Sequence, residues 1–340
     1  MVRLENYINR NFSALFFSIF VPLYGIASLV FFIKTVSITS IIKVTFLELL
    51  EIYLFVLPQI LFYTIPIAFF AGAVMTLVKL SFDYELIVLF SLGVKPSKIA
   101  RIFAKPALLT TIVLLVLSLG LIPQAKQLYK GFISYKKSQA TLNIKASEFG
   151  QKFGTWLVFI GKEKGKNSFE DIVMFNQKAI ASENFIIAKK AKIDTSDNML
   201  KFVLSVGKGY TYKEGKLTEI EFDKMIINDL SSFTSDKYKN VAEYWMEAKK
   251  NRTRAFDFSI FTVVSVFPLI SIFIIMAIGI INPRYEKQNT YMYMIIAMTL
   301  FYVIGFILAK SITFYAIGII PLIWIVTGYL IYIKTVKKRY

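Results

Sequence analysis

The sequence predicts a membrane α-helical protein with six transmembrane helices in a three-plus-three order and an all-β domain inserted between the two groups. Three observations carry this prediction. Six apolar runs, 12–33, 53–78, 103–122, 256–281, 291–309 and 312–333, are each close to the ~20 residues a helix needs to cross hydrocarbon. A polar block of about 130 residues separates the first three from the last three. Basic residues are divided unequally between the two sets of short connections, which gives the arrangement a direction.

The first run is too long for the apolar core of a signal peptide. Lys34 follows it where small cleavage-site residues would stand, so the run reads as a retained helix ending at Lys34. The amphipathic stretch 35–52 extends the second helix outward. Pro58 and Pro66 in the second run predict kinks rather than a break, because neighbouring helices can satisfy the freed carbonyls.

The loop 79–105 is more than a connector. Ser81 is placed to cap a short helix over 82–92, with Asp83 and Glu85 in its first turn, where negative charge is favoured. Leu86, Ile87, Leu89 and Phe90 supply an apolar face; Gly93 ends the helix and Pro96 opens the next one. Such a helix suits two roles, floating on the lipid surface or docking a partner.

From about Lys126 to Arg254 the pattern changes to strands. The stretches 156–160, 171–175, 185–188, 200–206 and 219–227 are rich in β-branched and aromatic residues, with turn chemistry at 163–167, 196–198 and 214–215. Leu200, Phe202, Leu204 and Val206 alternate in period two and are expected to line one face. Several short strands with regular turns predict a sandwich or open barrel.

At 56% hydrophobic residues and a mean hydropathy of +0.58, a water-soluble protein is excluded. With both termini inside, the short inner segments carry thirteen Lys and Arg and the short outer segments only Lys34, Lys43 and Lys310, which satisfies the positive-inside rule. The central block holds 24 basic against 16 acidic residues, about +8 of the net +18, and these charges are dispersed over an external domain, so nucleic-acid binding is disfavoured. Cysteine and histidine are both absent, which removes thiolate chemistry and the commonest general base and metal ligand.

Away from their ends, the apolar runs contain no Asp, Glu, Lys or Arg, which weighs against an ion-coupled transporter and an intramembrane hydrolase. The Gly-Lys pairs at Gly161, Gly165, Gly207 and Gly215 are never followed by Ser or Thr, so no phosphate-cradling loop is present and no cofactor is implied. Energy for any work would come from a partner. Lys34, Lys43 and Lys310 suit the phosphates of an anionic lipid head group at the rim of an apolar cavity; snorkelling anchors at helix ends are the commoner use of such lysines.

The stretch Lys79-Leu-Ser-Phe-Asp-Tyr-Glu-Leu-Ile-Val-Leu-Phe-Ser-Leu-Gly-Val-Lys-Pro-Ser-Lys98 resembles the LptF/LptG permease family of the lipopolysaccharide exporter. The likeness extends to the three-plus-three order, the proline-bearing second helix and an L-x-x-G-x-x-Y stretch at 204–210. It implies helices over 1–125 and 255–340 around a periplasmic β-jellyroll-like domain over 126–254. It also implies a multi-pass protein of the bacterial inner membrane, non-catalytic itself, that extracts lipopolysaccharide and passes it to a periplasmic bridge. The implied partners are a paralogous permease subunit (LptF with LptG), an LptB ATPase dimer, LptC, membrane lipid and the lipopolysaccharide. The residues do not separate LptF from LptG; the reading leans to LptF.

In that reading Asp83, Glu85, Leu86, Leu89, Phe90 and Gly93 couple to the ATPase, with Glu85 at the family's acidic position. Lys34, Lys43 and Lys310 meet the lipid head group, and Leu200, Phe202, Leu204 and Val206 line the β-domain's lipid path. Two other classes fit the layout: a membrane scaffold or assembly factor whose β-domain binds a partner, and an ion-driven lipid flippase.

Overall fold

The structure, a computed structural model, describes residues 2–39, 45–141, 151–153, 156–165, 168–176, 183–194, 201–213, 216–228, 240–283 and 289–338. The chain divides into two compact units: Met1–Thr35, Tyr53–Lys126 and Tyr238–Tyr340 in one, Val36–Ile52 and Gln127–Lys237 in the other.

The first unit is helical. Helix α1 (Val2–Thr39) runs past Lys34, because nothing in Lys34-Thr-Val-Ser-Ile-Thr39 breaks a helix. Helix α2 (Phe46–Phe82) continues through both Pro58 and Pro66. It starts on a capping box: Glu48 N–H donates to Thr45 Oγ1 at 3.5 Å and Thr45 N–H donates to Glu48 Oε2 at 2.9 Å. The short helix α3 (Glu85–Ser91) follows. Helix α4 (Pro96–Leu115) passes through a π-turn at Val116–Leu121 into α5 (Ile122–Thr141), so the chain stays helical well beyond the expected change at Lys126.

After the β unit come α6 (Val241–Met246), α7 (Arg252–Ile270), α8 (Ile272–Gly279), α9 (Thr290–Ile312) and α10 (Ala316–Tyr332). The expected fourth span is therefore interrupted at Ser271, three residues after Pro268. Among the described residues five stretches are long and apolar enough to cross a membrane, and the last, Thr290–Lys337, contains both α9 and α10, parted by a tight turn at Thr313–Tyr315. The protein is multi-pass.

Helix α2 is the spine: 72% of its most apolar window is buried, against none of α1's. An aromatic ladder ties it to the later helices, with Phe70 5.3 Å from Phe267, Phe267 4.3 Å from Phe301 and Phe301 5.0 Å from Trp324 between ring centroids. Lipid tails are as apolar as these side chains, so close packing and hydrogen bonds hold the helices together. Ser118 and Ser265 share a buried bond of 3.0 Å, and Trp324 Nε1–H donates to Ser271 Oγ at 3.0 Å. The two charges inside the ends of the apolar runs, Lys105 and Asp257, are paired: Lys105 with Glu5 at 2.5 Å and Asp257 with Lys126 at 3.1 Å.

Pro123 has no N–H, which frees the carbonyl of Leu119 four residues earlier. Trp245 Nε1–H donates to that oxygen at 2.8 Å. Trp245→Phe leaves the carbonyl unsatisfied and is expected to cost about 1–3 kcal/mol. A lower unfolding midpoint in detergent than that of the unmodified chain checks this; an unchanged midpoint refutes it.

The second unit is built on one antiparallel sheet in the order β1-β2-β3-β4-β5-β6. The strands are β1 (Gln151–Phe153), β2 (Trp156–Gly165), β3 (Ser168–Asn176), β4 (Glu183–Asp194), β5 (Lys201–Lys213) and β6 (Lys216–Asn228). Each of the five expected strands falls within one of these, apart from Leu200, which lies outside the described residues. In the same unit Lys136 pairs with Glu48 at 2.5 Å, and these partners hold the Glu48 carboxyl below its ordinary range.

Candidate functional site

The short helix α3 has seven residues, too few to hold itself together in isolation. Its neighbours fix it. Leu86 is 1% exposed in the core of the helical unit, and Leu89 and Phe90 pack against that core. Tyr7 of α1 donates its phenol O–H to Glu85 Oε1 at 2.7 Å. At the far end Gly93 N–H donates to Phe90 O at 2.9 Å and Val94 N–H to Leu89 O at 3.0 Å, the paired bonds of a Schellman motif. Gly93 has φ +84°, which a side chain would strain, so the expected stop at Gly93 and start at Pro96 are both present.

The start of the helix differs from the sequence reading. Ser81 is not its cap: it lies inside α2, fully buried, where its hydroxyl donates to Gly279 O at 3.2 Å and accepts from Ile281 N–H at 3.3 Å. The residue before α3 is Tyr84, with φ 60° and no side-chain cap. Ser81 therefore clamps α2 to the end of α8, directly beneath the turn into α3.

The coupling residues read from the sequence thus separate into two sets. Leu86, Leu89 and Phe90 face inward, Glu85 is half-buried against Tyr7, and Asp83 is exposed. The outward surface consists of residues the sequence reading passed over: Phe82, Tyr84, Val88 and Leu92, exposed by 37, 53, 57 and 75%. Val88 and Leu92 stand four apart along one side of α3, and Tyr84, four residues before Val88, lies just ahead of its first turn. The complement of the inward set at helical spacing was the signal that could have found them.

The proposed head-group lysines lie elsewhere. Tyr7 places the start of α1 beside α3, and Lys34 stands 27 residues further along the same helix, about 40 Å at the α-helical rise. Lys310 is exposed in the last turn of α9, and its carbonyl accepts from Arg252 at the start of α7 at 3.5 Å. Both lysines are remote from α3 along their helices, on different helices. Lys43 lies outside the described residues.

In the β unit Phe202 and Leu204 are fully buried, in one cluster with Ile160, Phe169, Ile172 and Ala188. Val206, expected on the same face, leaves it. Gly161, Asp171, Lys189, Val206 and Asp223 stand opposite one another across five strands, and the ladder skips each of them. Along this crease the in–out alternation slips by one residue: Lys189 and Lys190 are both exposed between buried Ala188 and Ala191. Asp171 and Val206 take φ 57° and 55°, and Val206 is half exposed. The period-two reading continued straight through a fold in the sheet.

Beside the crease Gly207 has no room for a side chain. A Cβ there would lie 2.3 Å from the Ile187 carbonyl oxygen and 2.6 Å from the Phe222 ring. This accounts for the glycine in the stretch 204–210. On the outer side Lys208 pairs with Glu219 at 2.8 Å and Glu221 at 2.6 Å, which raises the lysine and lowers Glu221 from their ordinary values.

The profile of a family described as lipopolysaccharide export system permease LptF/LptG matches residues 6–334, nearly the whole chain. The chain belongs to that family. The likeness drawn from the stretch 79–98 is thereby confirmed for both groups of helices and the β unit between them. The chain is also similar to an uncharacterized protein of Rickettsia prowazekii (strain Madrid E), 25% identical over 229 residues, which are 62% of this chain and 64% of that protein. The match thus spans less than two thirds of that relative's length.

Proposed function

We propose that this LptF/LptG-family chain is the non-catalytic transmembrane half of an ATP-driven lipopolysaccharide extractor, with its motor in a separate polypeptide. The observation that carries the reading is α3: an exposed apolar stripe, Tyr84, Val88 and Leu92, backed by Leu86, Leu89 and Phe90 seated in the transmembrane core. A surface built in this way can receive a push and pass it to α2 and α4. An LptB-type ATPase dimer is the proposed partner on that stripe.

In this reading both termini and α3 are cytoplasmic and the β unit is periplasmic, in keeping with the basic residues of the inner segments. The uncovered apolar length of α1 supports a second, paralogous permease subunit facing a lipid-filled cavity. Val21, Ile26 and Leu29 are each exposed by about three fifths. Lipopolysaccharide enters that cavity sideways, its phosphates met by Lys34 and Lys310, with Lys43 in the same role. Closure lifts it onto the β unit, and LptC and a periplasmic bridge receive it; Phe202 and Leu204, read from the sequence as the lipid path, are closed within that unit's core. Each CH₂ withdrawn from hydrocarbon costs roughly 0.8 kcal/mol, so a lipid of several chains requires coupling to hydrolysis.

The test is Val88→Asp, a charge placed in the centre of the outward stripe and away from the core. If α3 docks the ATPase, its co-purification with the permease should weaken about thirtyfold, as for a hot spot worth ~2 kcal/mol. Undiminished recovery of ATPase and transport in the variant would refute the reading.

A further inference from the structure

A groove of about 650 Å³ opens where the start of α4 meets the α7–α8 junction and the end of α10. Its floor is apolar. Ala100 and Ala104 lie one turn apart on α4 and leave a trough, and Phe273 forms the opposite wall, its ring 5.2 Å from Tyr329 and 5.6 Å from Tyr332. Its rim is cationic. Lys95, just ahead of α4, Arg101 on α4 and Lys337 beyond α10 line it; all three are exposed, and among the described residues no carboxylate lines the groove. Among the described residues none of these three cations forms an ion pair, whereas Lys105 one turn beyond Arg101 is paired with Glu5. The hydroxyl of Ser97 adds a donor at the same rim.

An apolar trough on membrane-spanning helices ending in three uncompensated positive charges matches an amphiphile with an anionic head. A water-soluble anion has no use for the trough, and a neutral lipid has none for the cations. We propose that this groove binds an anionic phospholipid of the leaflet at the α3 end, with its phosphate among Lys95, Arg101 and Lys337 and one acyl chain along Ala100 and Ala104. Arg101 offers a planar fork to phosphate and the two lysines act as point charges. Because α4 follows α3 after only four residues, the lipid would brace the segment that takes up any movement of α3 against α8 and α10. This site is distinct from Lys34 and Lys310, and the binding does not depend on which lipid the protein exports.

The experiment uses the full chain purified in mild detergent and titrated with phosphatidylglycerol or phosphatidylcholine, with retained lipid counted by native mass spectrometry. Phosphatidylglycerol should be retained in preference. Each cation neutralised should weaken its binding about fivefold, hence about a hundredfold for the triple variant Lys95→Gln, Arg101→Gln, Lys337→Gln. Ala100→Leu with Ala104→Leu fills the trough while keeping the charges, and should also lower lipid retention. Three results would overturn the proposal: equal retention of the two lipids, unchanged retention in both variants, or displacement of the lipid by soluble glycerol phosphate at equal concentration, which would mark a site for the free anion only.

Discussion

Gly207→Ala is expected to disrupt the β unit and leave the helical unit folded. The added methyl group would meet the Ile187 carbonyl oxygen at 2.3 Å, a backbone atom held in the β4–β5 ladder by Ala188↔Gly207 and Lys190↔Ser205. A flexible side-chain tip could move aside; a strand cannot without breaking its pairing. Overpacking of a core costs about 1–3 kcal/mol, and a clash with backbone belongs at the top of that range or above it. The neighbouring position should respond with the opposite sign. Val206 holds φ 55°, a region in which a β-branched side chain costs about 1–3 kcal/mol, so Val206→Gly removes strain and should be neutral or stabilising. Hydrogen exchange read by mass spectrometry separates these effects. Gly207→Ala should speed exchange in 183–194 and 201–213 without altering α2 or α7, and Val206→Gly should not. Similar exchange in the two variants would show that the crease has no such steric centre.

The legible and illegible parts of this chain divide along physical lines. The apolar runs were plain because hydrocarbon requires ~20 residues without interior charge, whatever the tertiary contacts. The stop at Gly93 and start at Pro96 were plain because each depends on the backbone freedom of one residue. Ser81 misled because a serine ahead of two acids has the pattern of a cap, while its hydroxyl is used 198 residues away at Gly279. The inward and outward sides of α3 could not be told apart by apolarity, since Val88 and Leu92 are as apolar as Leu86 and Leu89. Only the packing of the core against one side decides between them. Val206 failed for a related reason: alternation is local, and the crease is a property of five strands in register. The lipid groove was beyond reach because Lys95, Arg101 and Lys337 converge only once α4 and α10 are packed.

Leu86→Ala should separate ATP hydrolysis from lipid release. The outward stripe of α3 is untouched by this change, so an ATPase docked on Tyr84, Val88 and Leu92 would still bind and still hydrolyse. What is lost is the seat: Leu86 is 1% exposed, and truncating a buried leucine costs about 2–5 kcal/mol, part of it as a cavity beneath the helix. A push on α3 would then be taken up in closing that cavity instead of moving α2 and α4. Lipid released per ATP hydrolysed should fall at least about tenfold, the equivalent of 1.4 kcal/mol lost from coupling, with ATPase recovery near that of the unmodified chain. Tyr7→Phe, which removes only the 2.7 Å bond to Glu85, should give the same pattern in milder form. Val88→Asp should give the reverse, with loss of the bound ATPase and of hydrolysis together. If Leu86→Ala and Val88→Asp proved indistinguishable in both measurements, α3 would have no inner and outer role to divide. It would then be only a folded connector between α2 and α4, and the coupling reading would fail with it.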